Sequence, residues 1–82
     1  MSHDTLISEL TVLLKKALMS GIDLIRPEDD LRRDLGIDSM GTVDFVMSLE
    51  EKYSITISDD ELERVNTFND AIDLVSTKMA AA

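Results

Sequence analysis

Apolar residues stand at Leu6, Leu10, Leu13, Leu14, Ala17 and Leu18. Their i, i+3, i+4, i+7 recurrence predicts an amphipathic helix over Thr5–Met19, with Gly21 placed to end it. From Ser20 to Asp38 the period breaks. Pro27, the acidic Glu28-Asp29-Asp30 and Gly36 read as a long loop, pinned by Leu31, Leu35 and Ile37. A loop of this length in a compact domain is usually functional or carries a short helix of its own. A second helix fits Ser39–Tyr53. Ile55-Thr56-Ile57 is short and β-branched, a packed connector more than a partnered strand. Ser58-Asp59-Asp60-Glu61 forms an S-x-x-E capping box, with Ile57 positioned to staple onto Leu62. The short third helix this opens should stop near Val65-Asn66. Thr67-Phe68-Asn69-Asp70 begins a last helix whose apolar set is Ala71, Ile72, Leu74, Val75 and Met79. The pattern predicts an all-α bundle of three long helices and one short one, with a long loop between helices one and two. No repeat or low-complexity tract divides it, so residues 1–82 are expected to form a single domain.

The second helix has more apolar surface than one buried face needs. At about 100° per residue, Phe45, Val46, Leu49 and Tyr53 share one arc. Met40, Val43 and Met47 make a separate stripe, with Asp44 and Glu51 along one side and Glu50 along the other. The stripe either packs under the long loop or short helix, or is a docking surface: adaptable Met and Val contacts rimmed by carboxylates. Charge favours docking, because residues 38–63 hold eight acids and one base, Lys52.

Composition narrows the chemistry. Seventeen Asp and Glu against eight Lys and Arg leave a formal charge of −9 on 82 residues. Such a surface repels nucleic acid and anionic membranes and suits partners with basic patches. The plainer alternative is that the excess acid keeps a small protein soluble. With no cysteine and one histidine, His3, the chain has no disulfide, no thiolate metal site and no histidine-based triad of its own. No apolar run approaches the 18 or so residues of a membrane span, and the N-terminus shows no basic-then-apolar leader. A cytoplasmic monomer, not inserted in a membrane, is the expectation.

The junction Leu35-Gly36-Ile37-Asp38-Ser39-Met40 precedes helix two. A Ser or Asp there is ordinarily an N-cap. Yet the hydroxyl of Ser39 lies where orphan N–H groups and the helix dipole favour an anion, so a phosphodiester on it would sit in a favourable field. The surrounding acids, exposed and screened, oppose that only weakly. As a hydrolytic nucleophile Ser39 fails, because no suitable base stands nearby.

That junction, continued through Thr42-Val43-Asp44-Phe45-Val46-Met47-Ser48-Leu49-Glu50-Glu51-Lys52-Tyr53, resembles the acyl carrier protein family. The resemblance runs on through Ile55-Thr56-Ile57-Ser58-Asp59-Asp60-Glu61, Thr67-Phe68 and Ala71-Ile72, covering about residues 5 to 78. It implies an antiparallel four-helix bundle with a long first loop, and a carrier rather than an enzyme. It implies that Ser39 receives 4′-phosphopantetheine from coenzyme A through a phosphopantetheinyl transferase, with Asp38 helping to orient the transfer. Acyl intermediates would then travel as thioesters on the arm to acyl-transferring and chain-elongating enzymes of fatty acid, polyketide or related lipid biosynthesis. An aminoacyl or peptidyl carrier, such as a D-alanyl carrier, is the alternative. Met40, Val43, Asp44, Met47, Glu50 and Glu51 fall on the family's partner-docking helix. A cleft for the acyl chain would be lined by Phe45, Val46, Leu49, Leu62 and Ile72, with Ile57 near its mouth. The missing thiol agrees with chemistry on a borrowed arm, reaching docked enzymes at an effective concentration of order mM.

Two positions depart from the common pattern. Gly41 stands where many fatty-acid carriers have an acid, at a cost of about 1 kcal/mol in helix propensity and with one docking charge fewer. Met40 replaces the commoner leucine. Other classes fit less well: a Ca²⁺-responsive regulator lacks the D-x-[DN]-x-[DN]-G-x₅-E loop. An unmodified acidic adaptor is excluded only by the frame around Ser39.

Overall fold

The computed structural model describes residues 2–18 and 24–81, and its helices are α1 (His3–Leu18), α2 (Ser39–Tyr53), α3 (Asp59–Glu63) and α4 (Phe68–Ala81). The expected stop at Met19 and Gly21 lies outside the described residues. α1 starts two residues before its apolar pattern does, because Ser2 caps it: Ser2 Oγ accepts the Thr5 N–H at 3.2 Å, and the Ser2 carbonyl takes the first helical bond, from Leu6. α2 has the bounds its periodicity predicts. It leaves through Ser54 in the left-handed region (φ 54°), whose N–H reaches the Glu50 carbonyl.

α3 is shorter than expected, five residues, since Arg64 and Val65 already turn out through 3₁₀-type bonds to Glu61 and Leu62. Its capping box is complete: Ser58 Oγ accepts the Glu61 N–H at 3.2 Å and Glu61 Oε1 accepts the Ser58 N–H at 3.0 Å. α4 opens on a second reciprocal cap. Thr67 Oγ1 accepts the Asp70 N–H at 3.1 Å, while Asp70 Oδ2 accepts from Thr67 and Asn66 at 3.0 Å each. Those backbone donors, Thr67 first, hold the Asp70 carboxyl below its ordinary range.

α1 packs on α2 and α4, and α2 on α4. The ends show the first pair to be antiparallel. Gly41 at the start of α2 abuts Ala17 near the end of α1, while Tyr53 at the end of α2 donates its hydroxyl to Glu9 at 2.8 Å. The core combines Leu6, Leu10 and Leu14 with Phe45, Leu49, Phe68, Ile72 and Val75; burying each such side chain is worth roughly 1.5–3 kcal/mol. α3 buries no residue, so the core rests on the other three helices and on Leu31, Leu35, Ile37 and Ile55 between them.

The described part of the first loop, from Leu24, forms turns and no helix. Its three expected pins, Leu31, Leu35 and Ile37, are all buried. Asp30 organises the turn, with Oδ1 accepting the N–H of Arg33 at 2.8 Å and of Arg32 at 2.9 Å. An isolated antiparallel bridge, Asp30–Thr67, then fastens the loop to the start of α4. Leu31 N–H donates to the Asn66 carbonyl at 2.9 Å and Phe68 N–H to the Asp29 carbonyl at 3.0 Å. Gly36, in the left-handed region at φ 72°, turns the chain toward α2.

Candidate functional site

At the head of α2 the cap is Asp38. Its extended backbone (φ −99°, ψ −176°) leaves the carboxylate free to accept the Gly41 N–H at 2.7 Å. Ser39 is therefore the first helical residue and not the cap. It is exposed, and lines a surface depression with Arg32, Ile37, Asp38 and Thr42. Thr42 spends its hydroxyl on the Asp38 carbonyl, at 2.8 Å. The residues suit a covalent phosphodiester: an open hydroxyl, a helix N-terminus and one cation, Arg32, on the same wall.

An interior cavity of about 230 Å³ lies beside that depression. Five of the six side chains expected in an acyl cleft line it: Phe45, Val46, Leu49, Ile57 and Leu62. Ile72 does not. It is fully buried in the core, and the α4 contribution comes from Ala71 and Leu74. At about 100° per residue Ile72 points well away from the edge that Ala71 and Leu74 share. The loop residues Asp30–Arg33, with Val65 and Asn66, close another side. No local pattern marks this wall, because it depends on the Asp30–Thr67 bridge.

Along the outer face of α2, Met40, Val43 and Met47 are 77%, 54% and 60% exposed. Neither the described part of the long loop nor α3 covers them, so packing under these elements does not account for the stripe. Asp44 and Glu51 are exposed beside it. On the other side Glu50 is half-buried, and its Oε2 accepts the Ile57 N–H at 2.9 Å, tying the connector back to α2. Gly41 corrects an expectation. A Cβ there would lie 2.9 Å from the Ala17 carbonyl oxygen and 3.1 Å from Ile37 Cγ1, so this buried position faces α1 and never belonged to the acidic surface. Its place on the helical wheel, about 40° from Phe45, carried that signal.

Among the described residues no helix is long and apolar enough to cross a membrane.

Residues 8–75 match the family model described as the phosphopantetheine attachment site. Acyl carrier protein 3 of Ralstonia nicotianae is 28% identical over 81 residues, 99% of this chain and 93% of that protein. The solution structure of the acetyl actinorhodin acyl carrier protein from Streptomyces coelicolor is 31% identical, with a TM-score of 0.74 and 93% of each chain covered. The crystal structure of an acyl carrier protein from Thermotoga maritima shares the fold, with a TM-score of 0.83 at 24% identity over 96% of this chain and 92% of that one. With a phosphopantetheine-site model spanning most of its length, the chain belongs to the acyl carrier protein family, as a carrier and not an enzyme.

Proposed function

We propose that Ser39 is the attachment point of 4′-phosphopantetheine and that the chain delivers acyl intermediates to enzymes of fatty acid, polyketide or related lipid biosynthesis. The observation that carries this reading is the exposed Ser39 hydroxyl, first in α2 and left free for modification because Asp38 does the capping. Ser39 Oγ attacks the phosphorus of coenzyme A that bears the pantetheine. The new O–P bond forms as the pyrophosphate bond breaks, adenosine 3′,5′-bisphosphate leaves, and the serine proton passes to a base on the transferase. Asp38 fixes the start of the helix that the transferase must grip. Once attached, the arm supplies the thiol that the chain lacks, on which acyl groups ride as thioesters.

Phosphopantetheinyl transferase and acyl-handling enzymes dock on Met40, Val43 and Met47, with Asp44 and Glu51 meeting their basic patches. Exposed methionines adapt to several partners, and rim charges speed association more than they tighten it. The cavity behind Phe45, Val46, Leu49, Ile57 and Leu62 shelters the acyl chain between visits. Intact mass after incubation with coenzyme A and a promiscuous transferase tests the assignment. The expected result is a gain of one phosphopantetheine, lost in Ser39→Ala with an unchanged helical spectrum; a well-folded wild type that gains nothing refutes it.

A further inference from the structure

The depression at Ser39 and the interior cavity share three lining residues, Arg32, Ile37 and Thr42. Anything anchored on Ser39 and reaching inward passes this threshold. Ile37 is apolar, and the Thr42 hydrogen is already given to the Asp38 carbonyl. Arg32 alone of the three carries charge, and no bond from its guanidinium is found among the described residues. Its backbone is fixed, with the N–H on Asp30 Oδ1 at 2.9 Å and the carbonyl accepting the Gly36 N–H at 3.2 Å.

Three acids near it in sequence accept backbone N–H groups: Asp30 from Arg32 and Arg33, Asp34 from Asp30, and Asp38 from Gly41. The Arg33 and Arg32 backbone bonds hold the Asp30 carboxyl below its ordinary range, and the Arg32 charge adds to them without forming an ion pair. Among the described residues the one ion pair is Lys78–Glu61, so no described carboxylate lies within 4.0 Å of this guanidinium. A planar, five-donor cation with no ion-pair partner among the described residues, lining the same depression as the Ser39 hydroxyl, suits a phosphodiester, a permanent anion with two free oxygens.

We propose that Arg32 is a positioning residue: it binds the phosphodiester borne by Ser39 and, from the wall it shares with the cavity, biases the arm toward the sheltered acyl state. This rests on the assignment of Ser39. Arg33 lines the cavity but not the Ser39 depression, which makes it the control.

The test uses the chain loaded with its arm and an octanoyl group, in wild type, Arg32→Gln, Arg32→Lys and Arg33→Gln. Two quantities are read: the ³¹P resonance, and the octanoyl-induced shifts of Leu49 and Leu74, which line the cavity. Arg32→Gln is expected to move the ³¹P signal and to lower the ratio of sheltered to solvent-exposed chain about two- to five-fold, the span of an exposed charge pair. Arg32→Lys should restore part of both, Arg33→Gln should leave the ³¹P signal in place, and high salt should erase the difference between Arg32→Gln and wild type. A loaded Arg32→Gln that matches wild type in both readouts at low salt overturns the proposal, as does an equal ³¹P change in Arg33→Gln. Intact mass showing no arm on Ser39 overturns the reading beneath it instead.

Discussion

Gly41 and Ala17 meet backbone to backbone: a methyl group on Gly41 would stand 2.9 Å from the Ala17 carbonyl oxygen. In an open helix, Gly→Ala gains about 1 kcal/mol. Here the added carbon strikes a backbone atom, and overpacking costs typically 1–3 kcal/mol. Gly41→Ala should therefore destabilise the fold, by roughly 1 kcal/mol, or about 4–8 °C in Tm for a domain of this size. A thermal melt that shows Gly41→Ala to be more stable than wild type would place propensity above contact.

Asp38 separates a structural duty from an electrostatic one. Asp38→Ala removes the acceptor of the Gly41 N–H and should cost about 1 kcal/mol in urea unfolding. Asp38→Asn keeps an equivalent cap without the charge and should unfold within a few tenths of a kcal/mol of wild type. If Asp38→Asn nevertheless takes up the arm more slowly, as measured by intact mass over time, the carboxylate itself serves the transferase. Equal rates would confine Asp38 to capping.

The legible parts of this molecule are those whose physics is local. The limits of α2 and the Ser58–Glu61 box follow from residues within one turn of each other. The Leu31, Leu35 and Ile37 pins follow from apolar residues isolated in a polar loop. The early start of α1 was hidden because Ser2, His3 and Asp4 add a polar turn that no apolar period can register. The close approach at Gly41, the reach of Glu50 to Ile57 and the Asp30–Thr67 bridge each join residues from different elements. So the exposed serine at the head of α2 and the exposed stripe could be read from the chain, whereas the wall that makes the cavity could not.

Glu61 gives the fold an acid-sensitive tie. The Lys78 ammonium at 2.7 Å, followed by the Ser58 N–H, brings its carboxyl from the ordinary 4.5 down to about 2. A carboxyl whose folded value is depressed contributes stability above its unfolded value and loses it as pH falls toward the folded one. The window is thus about pH 4.5 down to about 2. Glu61→Gln should melt below wild type at neutral pH, and the gap should close across that window. Asp30 and Asp70, also depressed, weaken in acid in both proteins, so the difference between the two melts isolates Glu61. A gap that is constant with pH would refute the assignment.

Glu50 and Glu51 are neighbours with opposite duties. Glu50 Oε2 holds the Ile57 N–H at 2.9 Å, part-buried, and so fixes the connector that presents Ile57 to the cavity. Removing it leaves that donor unsatisfied, and Glu50→Ala should cost roughly 1–2 kcal/mol of stability. Glu51 is exposed and no bond to its side chain is found among the described residues, so Glu51→Ala should unfold like wild type within about 0.5 kcal/mol. Association with a basic partner reverses the order. Loss of Glu51 should lower the association rate and flatten its salt dependence, since exposed rim charges act through steering. Glu50→Ala, measured well below its melting temperature, should bind at close to the wild-type rate. Stopped-flow association with the transferase at several ionic strengths, beside urea unfolding of both variants, decides the matter. If Glu50→Ala proves as stable as wild type and the slower binder, Glu50 belongs to the docking rim after all and its bond to Ile57 carries no weight in the fold.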